Sequence, residues 1–169
     1  MSFFGQKYNT LHDLYLHELK DLHSAETQLT KALPKMAASA NSPQLRQAFE
    51  THLRETENQL QRLETIGSKL GADLSGHTCD AMKGLVSEGS DWISEDAEPA
   101  VKDAGLISQA QRVEHYEMAG YGSARNYAEL LGDREAANLL QQTLDEEGAA
   151  DKKLTALAQQ INVSAARSV

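Results

Sequence analysis

The sequence predicts an all-α protein, in which four long antiparallel helices form a bundle and a long crossover carries a short fifth helix. Three observations predict this fold. Apolar residues recur at helical spacing through four long stretches of the chain. Glycine and proline are scarce, and several of them stand at the breaks between these stretches. Two of the three breaks are short and the middle one is long, which is typical of two hairpins joined by a crossover.

The first long helix is expected at about residues 10–40. Thr10 can cap its N-terminus, because Asp13 stands three residues later in the position that completes a capping box. Pro34 interrupts the helical pattern, and a proline inside a helix removes one hydrogen bond and crowds the preceding turn. We therefore expect either a kink or an early end of this helix at Pro34.

The second long helix is expected at about residues 42–70. Ser42 suits its N-cap, and Pro43 suits the first helical position because its missing N–H would have no helical partner there. Gly71 suits the C-terminal cap, where the chain must leave the helix. The break between the first and second helices is therefore only a few residues long.

The middle of the chain differs from the rest. Residues 72–98 contain several glycines and serines and one amphipathic stretch, roughly 78–93, which predicts a long crossover with a short helix. Long helices are then expected at about 99–131 and 133–161, with Asp133 as the N-cap of the last. Short breaks require antiparallel neighbours, and the crossover can span the bundle, so this is the ferritin-like arrangement. We expect residues 1–169 to form this one domain.

Composition and charge exclude several classes of function. The formal net charge of −9 and the pI of about 5.1 indicate no basic surface, so we expect no nucleic-acid partner. The single cysteine, Cys79, excludes a disulfide framework and a thiol-rich metal site. No apolar run is long enough to span a bilayer, and the first ten residues lack the pattern of a signal peptide. We therefore expect a cytoplasmic protein without a membrane partner.

Acidic residues interrupt the apolar stripe of every long helix. A carboxylate that is buried without a partner costs several kcal/mol, and the stripes offer few inward lysines or arginines to offset that cost. Carboxylates with an imidazole suit iron or manganese, so we predict a site for two such metal ions. The expected ligands all lie on or beside the inward face of a long helix: Glu26, His52, Glu55, Glu114, Glu117, Glu147 and Asp151.

Several assignments stay open on the sequence alone. Glu146 competes with Glu147, because adjacent residues of a helix point about 100° apart and the rotation of this helix is not fixed. His23 and His115 are either further ligands, neighbours of the ligands or surface residues. Gln59 is either a further ligand or a neighbour of one.

A short echo relates the second and fourth helices. Glu55 and Gln59 are four residues apart, and so are Glu147 and Asp151. This spacing suggests a pseudo-repeat in which Glu55 and Glu147 face each other across the bundle. Those two residues are therefore expected to bridge the two metal ions.

A metal-free alternative has to be weighed against this site. A glutamate such as Glu26, taken alone, more often lies at a helix boundary and reaches water, and His52 alone is more often a hydrogen-bonded core residue. The convergence of acids from four helices favours metal. The alternative is a structural or interaction protein, a dimeric bundle in which the inward acids form a buried polar network with Gln59, Tyr121 and water.

Four sets of residues, in this order along the chain, resemble the YciE/YciF family of bacterial stress proteins. They are Asp21-Leu22-His23-Ser24-Ala25-Glu26, His52-Leu53-Arg54-Glu55-Thr56, Glu114-His115-Tyr116-Glu117 with Tyr121-Gly122, and Glu146-Glu147 followed by Asp151. The resemblance covers nearly the whole chain. It implies a ferritin-like bundle, a homodimer and a link to general or osmotic stress, but no established biochemical activity.

One motif departs from better-understood ferritin-like proteins. Ferritins and rubrerythrins carry Glu-x-x-His on two helices, whereas this chain has His52-x-x-Glu55 and no histidine near Glu147. A ferroxidase mechanism is therefore not carried over. Peroxide and dioxygen are the expected reactants of a metal pair in a narrow apolar interior, and whether the protein is an enzyme stays open. The segment around Trp92 and Ile93 is expected at a dimer interface.

Overall fold

The computed structural model describes residues 7–167, which form five α-helices and their connections. The helices are α1 (Leu11–Ser39), α2 (Pro43–Lys69), α3 (Asp80–Ser94), α4 (Pro99–Leu130) and α5 (Arg134–Ala165). These described residues contain no strand, so the all-α prediction is confirmed. Every expected boundary lies within two residues of the observed one except the end of α5, which was expected near 161. Within residues 7–167, none of the helices combines the length and apolar character that crossing a membrane requires.

The residues expected to cap helices do so. Backbone N–H groups in the first turns of α1, α2 and α5 donate to three side chains: Thr10, Ser42 and Asp133. Gly71 and Gly132 follow the ends of α2 and α4 with φ of 64° and 83°, a conformation that favours glycine because it lacks Cβ. At both ends the residue after the glycine donates to the carbonyl five residues earlier, at 2.9 Å, as in a Schellman motif.

Pro34 lies inside α1 without ending it. The proline is exposed, whereas Leu33 and Met36 beside it are buried in the core. Burying each such side chain contributes about 1.5–3 kcal/mol, which offsets the cost of about 3 kcal/mol for an interior proline. The expected early end is therefore wrong, since α1 continues to Ser39.

The long helices form two hairpins that pack side by side. Residues 40–42 join α1 to α2, and residues 131–133 join α4 to α5. α1 also packs against α4 and α2 against α5, so the four helices close into a bundle. The crossover places α3 against α1 and α4. This is the predicted topology of two hairpins and one long crossover.

A carboxylate of α4 ties the two hairpins together. Asp103 is buried and accepts hydrogen bonds from Asn41 N at 2.8 Å and Ser42 N at 2.7 Å. These two N–H groups lie in the connection between α1 and α2, outside the hydrogen bonds of either helix, and Asp103 supplies their acceptor. The contact joins residues 62 and 61 positions apart, and the sequence analysis did not predict it.

A polar layer divides the core into two apolar segments. One segment contains Phe49 and Leu106, and the other contains Leu19 and Leu63. Each long helix places buried polar residues where the two segments meet. They include Glu26, His52, Thr56, Gln59, Glu114, Glu117, Thr143 and Glu147. The buried Asp103 lies outside this layer, near the start of α4. The apolar segments therefore enclose the polar layer near the middle of the bundle.

Trp92 packs within the chain. Its indole Nε1 donates to Lys102 O at 3.0 Å, and Lys102 Nζ donates to Trp92 O at the same distance. The ring lies against Gly105, where an added Cβ would stand 1.9 Å from Trp92 Cε2. These contacts fasten the end of α3 to α4. The dimer interface expected from this segment stays a prediction.

Gly105→Ala is expected to destabilise the fold, because the added methyl group would overlap the Trp92 indole. Overpacking of this kind costs about 1–3 kcal/mol. Gly122→Ala in the same helix is the matched control, since nothing lies within 4 Å of its added Cβ and alanine favours a helix over glycine by about 1 kcal/mol. Urea unfolding measures both changes, and a Gly105→Ala protein as stable as the parent would contradict the contact.

Candidate metal centre

Five ionisable side chains point into the polar layer. α1 supplies Glu26, α2 supplies His52, α4 supplies Glu114 and Glu117, and α5 supplies Glu147. Each stands where the apolar spacing of its helix would place a core residue, so helix geometry turns it inward. His52 is the most exposed of the five, at 5 %. The structure thus brings together five of the seven residues expected as metal ligands.

Four of these side chains form a tight group. His52, Glu114, Glu117 and Glu147 each offer one ligand atom, and the four atoms lie within 4.8 Å of one another. His52 Nε2 lies 3.4 Å from Glu114 Oε1 and 3.7 Å from Glu147 Oε2. Ligand atoms around one metal ion stand about 3–4 Å apart, given bonds of about 2.0–2.2 Å. Within residues 7–167 this is the only group of at least three potential ligands so closely spaced.

Many polar atoms of the cluster lack a hydrogen-bond partner among the described residues. Both carboxylate oxygens of Glu117 are buried and unpartnered, and so is His52 Nε2. One carboxylate oxygen each of Glu26, Glu114 and Glu147 is also buried without a hydrogen-bond partner. Buried polar atoms are nearly always paired, so this concentration of free oxygens and one nitrogen suits a cation. Carboxylate oxygens with an imidazole nitrogen are the donor set expected for iron or manganese.

Neutral donors hold two of the remaining oxygens. Tyr121 Oη donates to Glu26 Oε1, and Gln59 Nε2 donates to Glu147 Oε1. Tyr121 and Gln59 are both fully buried. These bonds orient the two carboxylates without neutralising them. Gln59, which the sequence left open, is therefore the hydrogen-bond partner of an expected ligand.

Burial opposes the ionisation of three of the carboxyl groups. It raises the pKa of Glu26 and of Glu114 well above the ordinary value, and the charge of Glu147 raises both further. Burial also raises the pKa of Glu117, with the charge of Glu26 as the next cause. Without a cation, the fold therefore favours protons on these oxygens. Metal ions bind only the deprotonated groups, so protons and metal ions compete for the same site.

Glu55 contacts the cluster from its edge. Its carboxylate lies 3.3 Å from His52 Nδ1 and remains 38 % exposed, outside the tight group of four. The hydrogen bond with His52 is the main cause that lowers the pKa of Glu55. Burial by itself would lower the pKa of His52, but the bond to Glu55 and the charge of Glu147 outweigh it and raise that pKa. Glu55 therefore orients the ring, with Nε2 towards Glu114 and Glu147.

Asp151 lies at the rim rather than in the tight group. Its Oδ1 accepts from Gln111 Nε2 at 2.9 Å and lies 3.4 Å from Nε2 of the exposed His115. The charge of Asp151 still contributes to the raised pKa of Glu114. His23 lies elsewhere, with its Nε2 3.9 Å from an exposed glutamate. Asp151 and His115 are thus placed as a peripheral pair beside the cluster.

Glu146 and Glu147 both accept a hydrogen bond from Gln59 Nε2, but only Glu146 pairs with Arg62. Arg62 donates to both oxygens of Glu146, at 2.6 and 2.7 Å, and to Thr143 Oγ1 at 3.1 Å. These bonds keep Glu146 partly exposed, whereas Glu147 is fully buried in the tight group. Arg62 was missed by the sequence analysis. The available signal was its position three residues after Gln59, which places both on one edge of α2.

Sequence comparison relates this chain to a known family. Residues 10–167 match a family described as a domain of unknown function, DUF892. The chain is 45 % identical to protein YciF of Escherichia coli strain K12 over 150 residues, which amount to 88 % of this chain and 90 % of that protein. The family match at residues 10–167 therefore includes all five helices.

Solved structures agree with the sequence match. The crystal structure of the E. coli stress protein YciF matches with a TM-score of 0.88 and 43 % identity, covering 91 % of this chain and 98 % of that one. YcfI of Rhodopseudomonas palustris, described as a candidate structural protein, matches with a TM-score of 0.86 and 43 % identity, covering 90 % and 98 %. The family resemblance and the ferritin-like helical bundle are confirmed. The chain belongs to the DUF892 family of YciF-like stress proteins.

Proposed function

We propose that the buried cluster holds a pair of metal ions, iron or manganese, and that the protein reacts with peroxide or dioxygen in the bacterial stress response. One observation carries the proposal. Both oxygens of Glu117 are buried without a partner, beside the unpartnered His52 Nε2 and one free oxygen of Glu147. A neutral protein interior stabilises such atoms poorly, whereas a cation gives all of them a partner at once.

The proposed ligands follow from the distances. His52, Glu114, Glu117 and Glu147 already lie close enough together to surround one ion. Glu26 has one free oxygen, and after burial the charge of Glu147 is the main cause that raises its pKa, so it would contribute to the second ion. The bond between Glu55 and His52 Nδ1 favours Glu55 as the residue that orients the ring. The echo between helices predicted that Glu55 bridges the two ions. Because Glu55 instead bonds His52, Glu147 is the more favourable bridging residue.

The surrounding residues suit a reaction with a small oxidant. A pair of redox metal ions supplies two-electron chemistry towards peroxide or dioxygen. The apolar segments on both sides exclude bulk water from the polar layer. Tyr121 holds Glu26 and Gln59 holds Glu147 in fixed positions, which keeps these two carboxylates oriented towards the ions.

The protein is expected to bind two manganese or iron ions per chain, and Glu117→Gln is expected to lose most of this binding. The reason is that Glu117 offers two unpartnered oxygens to the cluster. Elemental analysis after anaerobic loading measures the stoichiometry, and the melting temperature gives a second readout, because ligand at about 100 times Kd adds about 2.7 kcal/mol of stability. Glu57→Gln, an exposed acid on the same α2 as His52, is the control that should bind normally. The proposal is contradicted if the parent protein holds less than about a tenth of a metal ion per chain after loading, because a specific site binds a defined number of ions.

The manganese-loaded protein is expected to release oxygen from hydrogen peroxide faster than the same concentration of free Mn²⁺. Glu147→Gln should bring the rate down to that of the free ion, because Glu147 lies fully buried in the tight group. An oxygen electrode measures the rate, and the iron-loaded form is followed in parallel by metal oxidation. If protein-bound and free metal react at equal rates in both forms, the protein binds metal but does not catalyse the reaction.

A metal-free structural role is the second candidate, and specific contacts favour it. Tyr121 and Gln59 already donate to the cluster, and burial favours the neutral form of Glu26, Glu114 and Glu117. The relative YcfI is described as a candidate structural protein. In this alternative, protons take the place of metal ions and the polar layer serves the packing of the bundle.

The pH dependence of stability separates the two candidates. The folded-state pKa values of Glu26, Glu114 and Glu117 are raised above the ordinary 4.5, so the folded state binds more protons than the unfolded state above that pH. The metal-free protein should therefore lose stability as pH rises from 5 to 8, by up to about 1.4 kcal/mol per pH unit for each extra proton. The raised pKa of His52 acts in the same direction.

Urea unfolding in chelator at several pH values measures this dependence, and unfolding with saturating Mn²⁺ is the comparison. Metal should offset or reverse the loss, because Mn²⁺ displaces those protons as pH rises. Glu117→Gln should flatten the dependence in chelator, since it removes one of the titrating groups. Identical pH dependences with Mn²⁺ and with chelator would favour the metal-free candidate.

A further inference from the structure

A small cavity lies between α2 and α5 and reaches the cluster. It has a volume of about 100 Å³, and its lining includes His52 and Glu114. That volume accommodates a few water molecules, which is enough for a partly hydrated metal ion.

Residual exposure of the cluster coincides with this cavity. The side chains of His52 and Glu114 remain 7 % and 3 % exposed, whereas that of Glu147 is 0 % exposed. Glu26 and Glu117 are also fully buried. The two members of the cluster that water can touch are therefore the two that line the cavity. Solvent reaches the proposed ligands from this side of the bundle.

Part of the cavity wall is made of small side chains. Thr51 on α2 and Ala149 and Ala150 on α5 stand where larger residues would close the gap between the helices. Glu55 and Lys153 line the same cavity, with the Glu55 carboxylate partly exposed and Lys153 exposed. Besides the two cluster residues, the lining thus carries one negative and one positive side chain, and their fields act on any ion that passes.

We propose that this gap is the port through which a divalent metal cation reaches the cluster, with Glu55 attracting the cation and Lys153 opposing it. The proposal rests on the proposed function, because it concerns loading of the same metal site. His52 and Glu114 are then the first cluster residues that an incoming ion meets. Ala149 and Ala150 keep the passage open because their side chains are short.

The test is the rate at which the metal-free protein takes up Mn²⁺ after rapid mixing, followed by loss of the signal of hydrated Mn²⁺ in electron paramagnetic resonance. Ala150→Trp should slow uptake by about tenfold or more, because entry would then need a local opening of packed helices, and should leave the final stoichiometry unchanged. Ala156→Trp is the matched control: it is exposed on the same helix and does not line the cavity, so uptake should keep the parent rate.

Lys153→Glu gives a second readout that does not depend on filling the cavity. Reversal of this exposed charge should raise the uptake rate about three- to tenfold at low ionic strength, and salt should reduce the gain. A purely structural role of the gap would not produce this sign. Circular dichroism and equilibrium Mn²⁺ binding of each variant show that the fold and the site are retained.

The outcomes distinguish the port from the metal site. If Ala150→Trp binds Mn²⁺ at the parent rate, or Lys153→Glu slows uptake, the port is wrong while the metal site stands. If the parent protein takes up no Mn²⁺ under any condition, both the metal site and the port are wrong. Slow uptake by Ala150→Trp with normal uptake by Ala156→Trp and faster uptake by Lys153→Glu supports the port.

Discussion

The burial of several carboxyl groups in one layer of the bundle is the constraint on which the rest of the structure depends. A layer of this kind is unfavourable unless protons or cations balance it. The apolar segments on either side supply most of the burial that keeps the helices together. The caps and short turns then set the register in which Glu26, Glu114, Glu117 and Glu147 meet at one level.

The distribution of positive charge around the layer is equally important. Arg62 lies beside the cluster, but it pairs with Glu146 and not with the four carboxylates of the layer. If Arg62 pointed inward, the carboxylates would be neutralised by the chain itself and a cation would gain little. Tyr121 and Gln59 instead provide hydrogen bonds without charge. The fold therefore leaves the carboxyl groups of this layer to be balanced by protons or by a divalent ion.

The sequence predicted the bundle well because its signals are local. Caps such as Thr10 and Ser42 act within one turn, and apolar stripes repeat along one helix, so neither requires knowledge of distant residues. Glu26 and Glu147 were likewise expected inward from the apolar spacing of their own helices, with Glu146 left as the alternative to Glu147. The rims of the helices were harder: Glu55 and Asp151 were expected as ligands, yet the structure leaves both at the edge of the tight group. A rotation of a fraction of a turn decides such positions, and helical periodicity alone does not fix it.

Other features lay outside what one sequence can predict, because they join residues far apart in the chain. The contact of Arg62 with Glu146 spans 84 positions, and the close approach of Trp92 to Gly105 depends on the path of the crossover. Asp103 adds a consequence for folding kinetics. Each hairpin has a short connection and largely local contacts, which favours early formation, whereas the bonds from Asp103 to the α1–α2 turn form only after the hairpins have docked. Contacts that are absent from the transition state mainly slow unfolding. Where docking of the hairpins follows the transition state, Asp103 governs the lifetime of the folded bundle more than the rate at which the bundle forms.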